Sequence, residues 1–199
     1  MEIIKKSLDM FTSKIKLMQE SLVSEDFERL YEYILKAEHI HLYGSGRSLN
    51  IIKCFGMRLM HLGFPVIIVG STTSPHGKKS DVLICMSGSG NTVNVITAMR
   101  IAKENNIPVV LFTHNKSSEG AKLADLLINI NTGVGNWEAA INDPLEVSFG
   151  GDYSDSCVAP MGTVFEILML CLLDSIINKL MMMLCKDCSD LEDLHSLFG

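Results

Sequence analysis

The chain has 199 residues, of which 47% are hydrophobic and 20% are charged, and its formal net charge is −6. This length and composition fit one globular domain with an ample core rather than two independent domains. The negative charge, with no clustered run of Lys and Arg, argues against a nucleic-acid-binding surface, which needs a basic patch.

Hydrophobic spacing predicts two N-terminal helices, over residues 2–22 and from Ser24, which we expect to cap the second helix, to Lys36. From residue 39 short apolar strands alternate with helices. This alternation predicts a single three-layer αβα domain with a five-stranded parallel sheet, whose carboxyl edge binds ligands. The predicted strands are 40–43, 66–69, 82–86, 109–112 and 126–130, and the predicted helices between them are 47–62, 92–105 and 118–124.

The single domain is predicted to have four parts: N-terminal helices (1–37), a parallel α/β core (38–130), a long loop (131–160) and C-terminal helices (161–199). Loops of such length are usually functional lids or mobile segments. A helix over residues 161–184 is apolar on most of its surface, as is typical of helices buried in a core or a subunit interface. Together with the N-terminal helix it predicts a homodimer or homotetramer.

The six cysteines give no sign of a metal or redox site. Cys54, Cys85 and Cys171 lie in apolar elements and are expected to be small core residues. Cys185 and Cys188 form a C-x-x-C pair, but no second pair or nearby histidine completes a zinc site. The N-terminus lacks the apolar core of a secretory signal, and the longest apolar stretch is too short for a bilayer. We therefore expect a cytoplasmic protein without membrane contacts.

The most informative motif is the turn Ser87-Gly88-Ser89-Gly90-Asn91-Thr92, which joins the third predicted strand to the next helix. Such a turn presents free backbone N–H groups, hydroxyls and the positive end of a helix dipole, which suits a phosphate. It matches neither the Walker loop nor the Rossmann fingerprint. Taken alone, it fits an ordinary helix-capping turn about equally well.

A second polar turn, Gly44-Ser45-Gly46-Arg47-Ser48, follows the first predicted strand. The carboxyl ends of parallel strands meet at one edge of the sheet, so both turns should lie there together. A second Gly/Ser turn that carries an arginine favours an anionic ligand.

These turns resemble those of the sugar isomerase (SIS) domain, a five-stranded flavodoxin-like module that binds phosphosugars. Three segments resemble the 6-phospho-3-hexuloisomerases of bacteria and archaea: the turn Gly44–Ser48, F-G-M-R-L-M-H-L-G-F at 55–64, with the following Val69-Gly70, and P-M-G-T-V-F-E at 160–166. The S-G-S-G-x-T turn is common to most SIS domains, whereas the segments at 55–64 and 160–166 are more specific to the hexuloisomerases. The similarity covers nearly the whole chain.

The resemblance implies interconversion of D-arabino-hex-3-ulose 6-phosphate and fructose 6-phosphate through an enediolate, without nucleotide or metal cofactor. This chemistry needs a base that moves a proton between adjacent carbons. Isomerisation of another phosphosugar is an alternative, and so is a non-catalytic phosphosugar-binding or regulatory protein. Regulators of this type carry a DNA-binding domain before the SIS fold, and here only about 38 residues, filled by two predicted helices, precede the first strand.

The resemblance also implies roles for particular residues. Glu166 is the expected base, although its position three residues after Thr163 also fits a helix-capping box. Arg47 is expected to face negative charge on the enediolate or to help hold the phosphate. The remaining expected substrate-binding residues are Ser45, Gly46, Ser48, Ser87, Gly88, Ser89 and Thr92.

Two histidines complete the predicted site. The resemblance implies that His61 reaches a substrate oxygen as an acid or ring-opening catalyst, across a subunit boundary; a buried packing role is the alternative. His195 corresponds to the histidine of the family's H-x-N-L tail, although here the tail lacks the asparagine. Asn91 stands where the hexuloisomerases carry a charged residue. The remaining histidines, His41, His76 and His114, receive no role.

Overall fold

The structure is a computed structural model that describes residues 1–133 and 162–187. Every element bound lies within two residues of the sequence prediction. In chain order the elements are α1 (Glu2–Ser21), α2 (Ser24–Lys36), β1 (Ile40–Gly44), α3 (Arg47–His61), β2 (Val66–Ile68), β3 (Val82–Met86), α4 (Val93–Glu104), β4 (Val109–Thr113), α5 (Glu119–Leu123), β5 (Leu126–Asn129) and α6 (Thr163–Met183).

The five strands form one parallel sheet in the order β2-β1-β3-β4-β5. In its register Ile40 lies opposite Val82, and Gly44, the last residue of β1, lies opposite Met86, the last residue of β3. The two polar turns that follow β1 and β3 therefore begin side by side at the carboxyl edge of the sheet.

Helices cover both faces of the sheet, which confirms the predicted three-layer αβα fold. Alternate strand residues point to opposite faces. Ile84 and Met86 join a core formed with α2, α3 and α6, whereas Leu83 and Cys85 join a smaller core formed with α4.

Helix α6 lies within the larger core, as its apolar composition predicts, and packs against α3 and α1. Its buried residues recur at helical spacing and include Phe165, Glu166, Leu168, Met169, Leu172, Leu173, Ile176, Ile177 and Leu180. This packing brings the first turn of α6 to the carboxyl edge of the sheet, beside the start of α3.

Three sequence predictions are wrong in detail. Val23, not Ser24, is the N-cap of α2, because Ser24 already has helical geometry as its first residue. Cys54 and Cys171 are exposed, whereas Cys85 is buried as predicted. The helix period places both exposed cysteines on outward faces, next to residues such as Phe55 that face the core.

Several predictions fall outside the described residues: most of the 131–160 loop, His195 and Cys188, the second cysteine of the C-x-x-C pair. Cys185 follows α6 and is exposed. Of the helices in residues 1–133 and 162–187, none is long and apolar enough to cross a membrane.

Candidate active site

The turn after β3 brings the hydroxyls of Ser87 and Thr92 together, with their Oγ and Oγ1 atoms 2.9 Å apart. The Ser87 hydroxyl also accepts a hydrogen bond from the backbone N–H of Gly90 at 3.2 Å. Thr92 is the N-cap of α4, but its side chain makes no capping hydrogen bond to the helix. Both hydroxyls and the first N–H groups of α4 therefore face the same edge, as an anion site requires.

The turn after β1 leads into α3 at Arg47, its first helical residue, with Gly46 as the N-cap. Ser45, Gly46 and Arg47 are exposed, and Ser48 is half-buried. The predicted residues of both turns thus precede or begin α3 and α4, which are consecutive helices in the chain and lie on opposite faces of the sheet.

Arg47 and Glu166 form an ion pair, with Nε of the arginine 2.5 Å from Oε2 of the glutamate. The Glu166 side chain is 10% exposed and the Arg47 side chain 63% exposed. Despite the short distance, Oε2 has no well-directed hydrogen bond within the described part of the chain. The carboxylate therefore keeps acceptor capacity at the edge of the sheet.

The environment of Glu166 suits a proton-transfer group. Burial raises the pKa of its carboxyl above the usual value, and the positive charge of Arg47 opposes this increase without cancelling it. A carboxylate whose pKa is shifted toward neutral pH accepts and returns protons more readily under working conditions.

The alternative capping interpretation of Glu166 is wrong. Gly162 is the N-cap of α6, and Thr163 is already the first helical residue. A capping box requires the hydroxyl residue at the N-cap and the glutamate three residues later. Glu166 instead lies four residues after the N-cap, and its backbone N–H makes an ordinary helical bond to the Gly162 carbonyl at 3.2 Å.

His114, to which the sequence analysis assigns no role, lies beside the turn after β3. It follows β4, and its ring packs against Phe165 with 5.5 Å between the ring centroids. A Cβ on Gly88 would lie 3.4 Å from His114 Nε2 and 3.2 Å from Phe165 Cδ1, so the turn approaches both rings closely. Burial lowers the pKa of His114 to about 4, which keeps the imidazole neutral. The sequence does carry one indication of this location, because His114 directly follows β4 and the carboxyl ends of the strands form the ligand-binding edge.

His61 does not join this site within one chain. It is buried at the last position of α3, whereas Arg47 is at the first. At 1.5 Å of rise per residue, the two ends of α3 lie about 20 Å apart. Any contact between His61 and substrate therefore has to involve the site of another subunit.

The described residues offer no obvious metal site, since residues 1–133 and 162–187 contain no group of three or more His, Cys, Asp or Glu placed to hold an ion.

Residues 33–143, more than half of the chain, match the model of the SIS domain. The chain belongs to the SIS domain family, as its motifs predict. It is 34% identical over 192 residues to a 3-hexulose-6-phosphate isomerase of Methanocaldococcus jannaschii, with 94% of each chain covered. It is 35% identical over 158 residues to a protein of the same name from Bacillus subtilis, covering 79% of this chain and 78% of that one.

Solved structures show the same relationship. One is the crystal structure of a Methanococcus jannaschii protein from which a 3-hexulose-6-phosphate isomerase function was inferred. It matches with a TM-score of 0.79 and 31% identity, covering 96% of this chain and 98% of that one.

Proposed function

We propose that this protein is a phosphosugar isomerase that interconverts D-arabino-hex-3-ulose 6-phosphate and fructose 6-phosphate. The observation that carries the proposal is a buried carboxylate with a raised pKa, Glu166, in contact with Arg47 beside a Ser/Gly/Thr turn. The relatives named 3-hexulose-6-phosphate isomerase, which match most of the chain, support the choice of substrate.

In this proposal the sugar phosphate is held at the start of α4. The hydroxyls of Ser87, Ser89 and Thr92 would bind the phosphate oxygens, and the helix N-terminus would favour their negative charge. The other end of the substrate would extend along the sheet edge toward Arg47 and Glu166.

Glu166 would then remove the proton from C2 of the hexulose phosphate. In the resulting enediolate, shared by C2 and C3, a proton would pass from the C2 oxygen to the C3 oxygen. Return of the carbon-bound proton at C3 would then form the C2 carbonyl of fructose 6-phosphate. Arg47 would stabilise the negative charge that develops on the enediolate oxygen. None of these steps calls for a nucleotide or a metal ion.

We also propose that the protein is a cytoplasmic homo-oligomer. Exposed apolar side chains lie on α1, at Ile3, Ile4 and Leu8, and at the end of α6, at Met182 and Met183. Large apolar side chains exposed in this number on two helices are typical of subunit interfaces. A neighbouring subunit would also give His61 a site to act on.

The direct test is to incubate the purified protein with fructose 6-phosphate and to look for hexulose 6-phosphate, with pentose and heptose phosphates in parallel. Turnover of fructose 6-phosphate supports the proposal. Turnover of a different phosphosugar alone would show that the protein is an isomerase of that sugar instead. Binding of phosphosugars without turnover of any of them would identify a non-catalytic binding protein instead.

A further inference from the structure

The segment 113–120, which runs from the last residue of β4 into the start of α5, holds the backbone of the phosphate turn, residues 87–92, in place. Three consecutive carbonyl groups of the turn each accept a hydrogen bond from this segment. The pairs are Thr113 Oγ1 to Gly88 O at 2.8 Å, Asn115 Nδ2 to Ser89 O at 3.2 Å and Gly120 N to Gly90 O at 3.0 Å.

We propose that Thr113 and Asn115 are positioning residues that turn the carbonyl groups of the phosphate turn away from the bound anion. The inference deepens the proposed function, because it rests on the phosphate of the sugar substrate binding at this turn. Neither side chain has to touch the substrate; both act through the backbone that does.

The two side chains are themselves rigidly held. Thr113 and Asn115 are 0% and 5% exposed. The Thr113 hydroxyl accepts a hydrogen bond from the Asn115 N–H at 3.2 Å, and Asn115 Oδ1 accepts one from the Ser117 N–H at 3.0 Å. Ser118 closes the segment by donating its hydroxyl to the Asn115 carbonyl at 2.8 Å. Their donors therefore keep one orientation toward the turn.

The turn and the segment also interlock sterically. Gly90 has a φ of +65°, and a Cβ there would collide with the Ser118 side chain. The turn also contacts the segment through a side chain of its own, since Asn91 Oδ1 accepts a hydrogen bond from the Glu119 N–H at 2.9 Å. Contacts in both directions leave the turn little freedom to rotate its peptide groups.

The electrostatic consequence follows from the direction of the peptide dipoles. A carbonyl oxygen carries partial negative charge and repels a phosphate, whereas an N–H group attracts it. With the three carbonyls engaged, the turn offers the anion its hydroxyls and N–H groups. Preorganised donors of this kind need no rearrangement when the anion arrives.

The test compares Thr113→Val, which removes the hydroxyl and keeps the shape, with Thr113→Ser, which keeps the hydroxyl. Thr97→Val is the matched control, because the Thr97 hydroxyl also donates to a backbone carbonyl, but to that of Val93 inside the first turn of α4 rather than to a carbonyl of residues 87–92. Calorimetry would give the dissociation constants of inorganic phosphate and fructose 6-phosphate, and thermal unfolding without ligand would report stability.

We expect Thr113→Val to weaken binding of both ligands by about tenfold, the size of effect expected when one hydrogen bond made by a buried side chain is lost. Thr113→Ser and Thr97→Val should bind like the wild type. Where turnover is measurable, KM for fructose 6-phosphate should rise while kcat stays within about twofold, because the affected contacts lie at the phosphate and not at the reacting carbons.

Unchanged affinity in Thr113→Val, whatever its melting temperature, would overturn the inference, and so would a wild type that binds neither ligand. If Thr113→Val does not fold, Asn115→Asp replaces it: the acceptor for Ser117 remains, while the donor to Ser89 is lost. Asn105→Asp is its control, since the Asn105 amide donates to a carbonyl at the far end of α4. The expected changes in affinity could also be found in a protein that isomerises no sugar. That result would support this inference and contradict only the proposed function.

Discussion

Nε of Arg47, the first residue of α3, lies 2.5 Å from Oε2 of Glu166, the fourth residue of α6. The contact joins an exposed arginine side chain to a buried carboxylate, and two opposing effects act on the pKa of that carboxylate. Burial raises its pKa and the arginine lowers it, with burial the larger effect. The pair thus combines a base with a raised pKa and a positive charge next to the place where an enediolate would form.

Glu166→Gln should abolish most turnover. Glutamine keeps the shape of the side chain but cannot accept a proton, and general base catalysis contributes about 10²–10⁴-fold. We expect kcat to fall by about that factor, with little change in substrate binding or melting temperature. Glu38→Gln is a suitable control, because Glu38 is ion-paired to Lys78 ahead of β1, at the opposite edge of the sheet. Full activity in Glu166→Gln would refute the proposed mechanism.

Arg47→Met should move the pH profile as well as reduce the rate. The arginine lowers the pKa of Glu166, so its removal should let that pKa rise further. The acidic limb of kcat/KM, which reports the base of the free enzyme, would then shift to higher pH. Arg47→Lys keeps the positive charge and should leave the limb closer to that of the wild type. If the acidic limb does not shift in Arg47→Met, then Arg47 does not influence the pKa of the base.

The sheet and the two turns could be predicted because their signals are local. Apolar runs define the strands, and parallel pairing fixes the edge at which Gly44 and Met86 end side by side. The ion pair between Arg47 and Glu166 has no such signal, since it depends on the packing of α6 against α3, more than 100 residues apart in the chain. Only the resemblance to the hexuloisomerases pointed to Glu166.

The missed and wrong assignments have a common physical origin. The neutral state of His114 results from burial beside Phe165, a residue about 50 positions later that no local pattern connects to it. The apolar character of their helices as a whole predicts that Cys54 and Cys171 are buried. Burial in a helix depends on the face that a residue occupies, and both occupy the outward face.

Thr92→Val should weaken binding of fructose 6-phosphate by about tenfold or more, because a hydroxyl bond to a dianion is worth roughly 1.5–3 kcal/mol. The Thr92 hydroxyl pairs with Ser87 and makes no capping bond to α4, so the change should alter the melting temperature little. Binding and thermal unfolding measured on the same preparation separate the two effects. Unchanged affinity would show that the Thr92 hydroxyl does not bind the phosphate.

Sedimentation at micromolar concentration should show a dimer or tetramer. The exposed residues Ile3, Ile4 and Leu8 lie on α1, so Leu8→Glu should place a charge in the interface and favour a smaller species. A wild-type protein that sediments as a clean monomer would contradict the oligomer. It would also exclude a substrate contact for His61, since α3 holds this residue about 20 Å from Arg47 of its own chain.

His114 should make the folded state sensitive to acid. Its pKa is about 4 in the folded protein, against an ordinary value of 6.5, so between these values the unfolded chain binds a proton that the folded protein does not. His114 therefore does not reduce the free energy of unfolding above about pH 6.5. As the pH falls from there toward 4, the free energy of unfolding decreases, by about 2 kcal/mol at pH 5. His114→Phe keeps an aromatic ring beside Phe165 and cannot titrate.

Urea unfolding at pH 7 and pH 5 should thus show a smaller loss of stability in the His114→Phe variant than in the wild type. Asp81 and Glu166 also titrate, but they contribute equally to both proteins. His76→Phe, at an exposed position, controls for the added phenylalanine. The same loss of stability in wild type and His114→Phe would show that His114 is not held neutral by its surroundings.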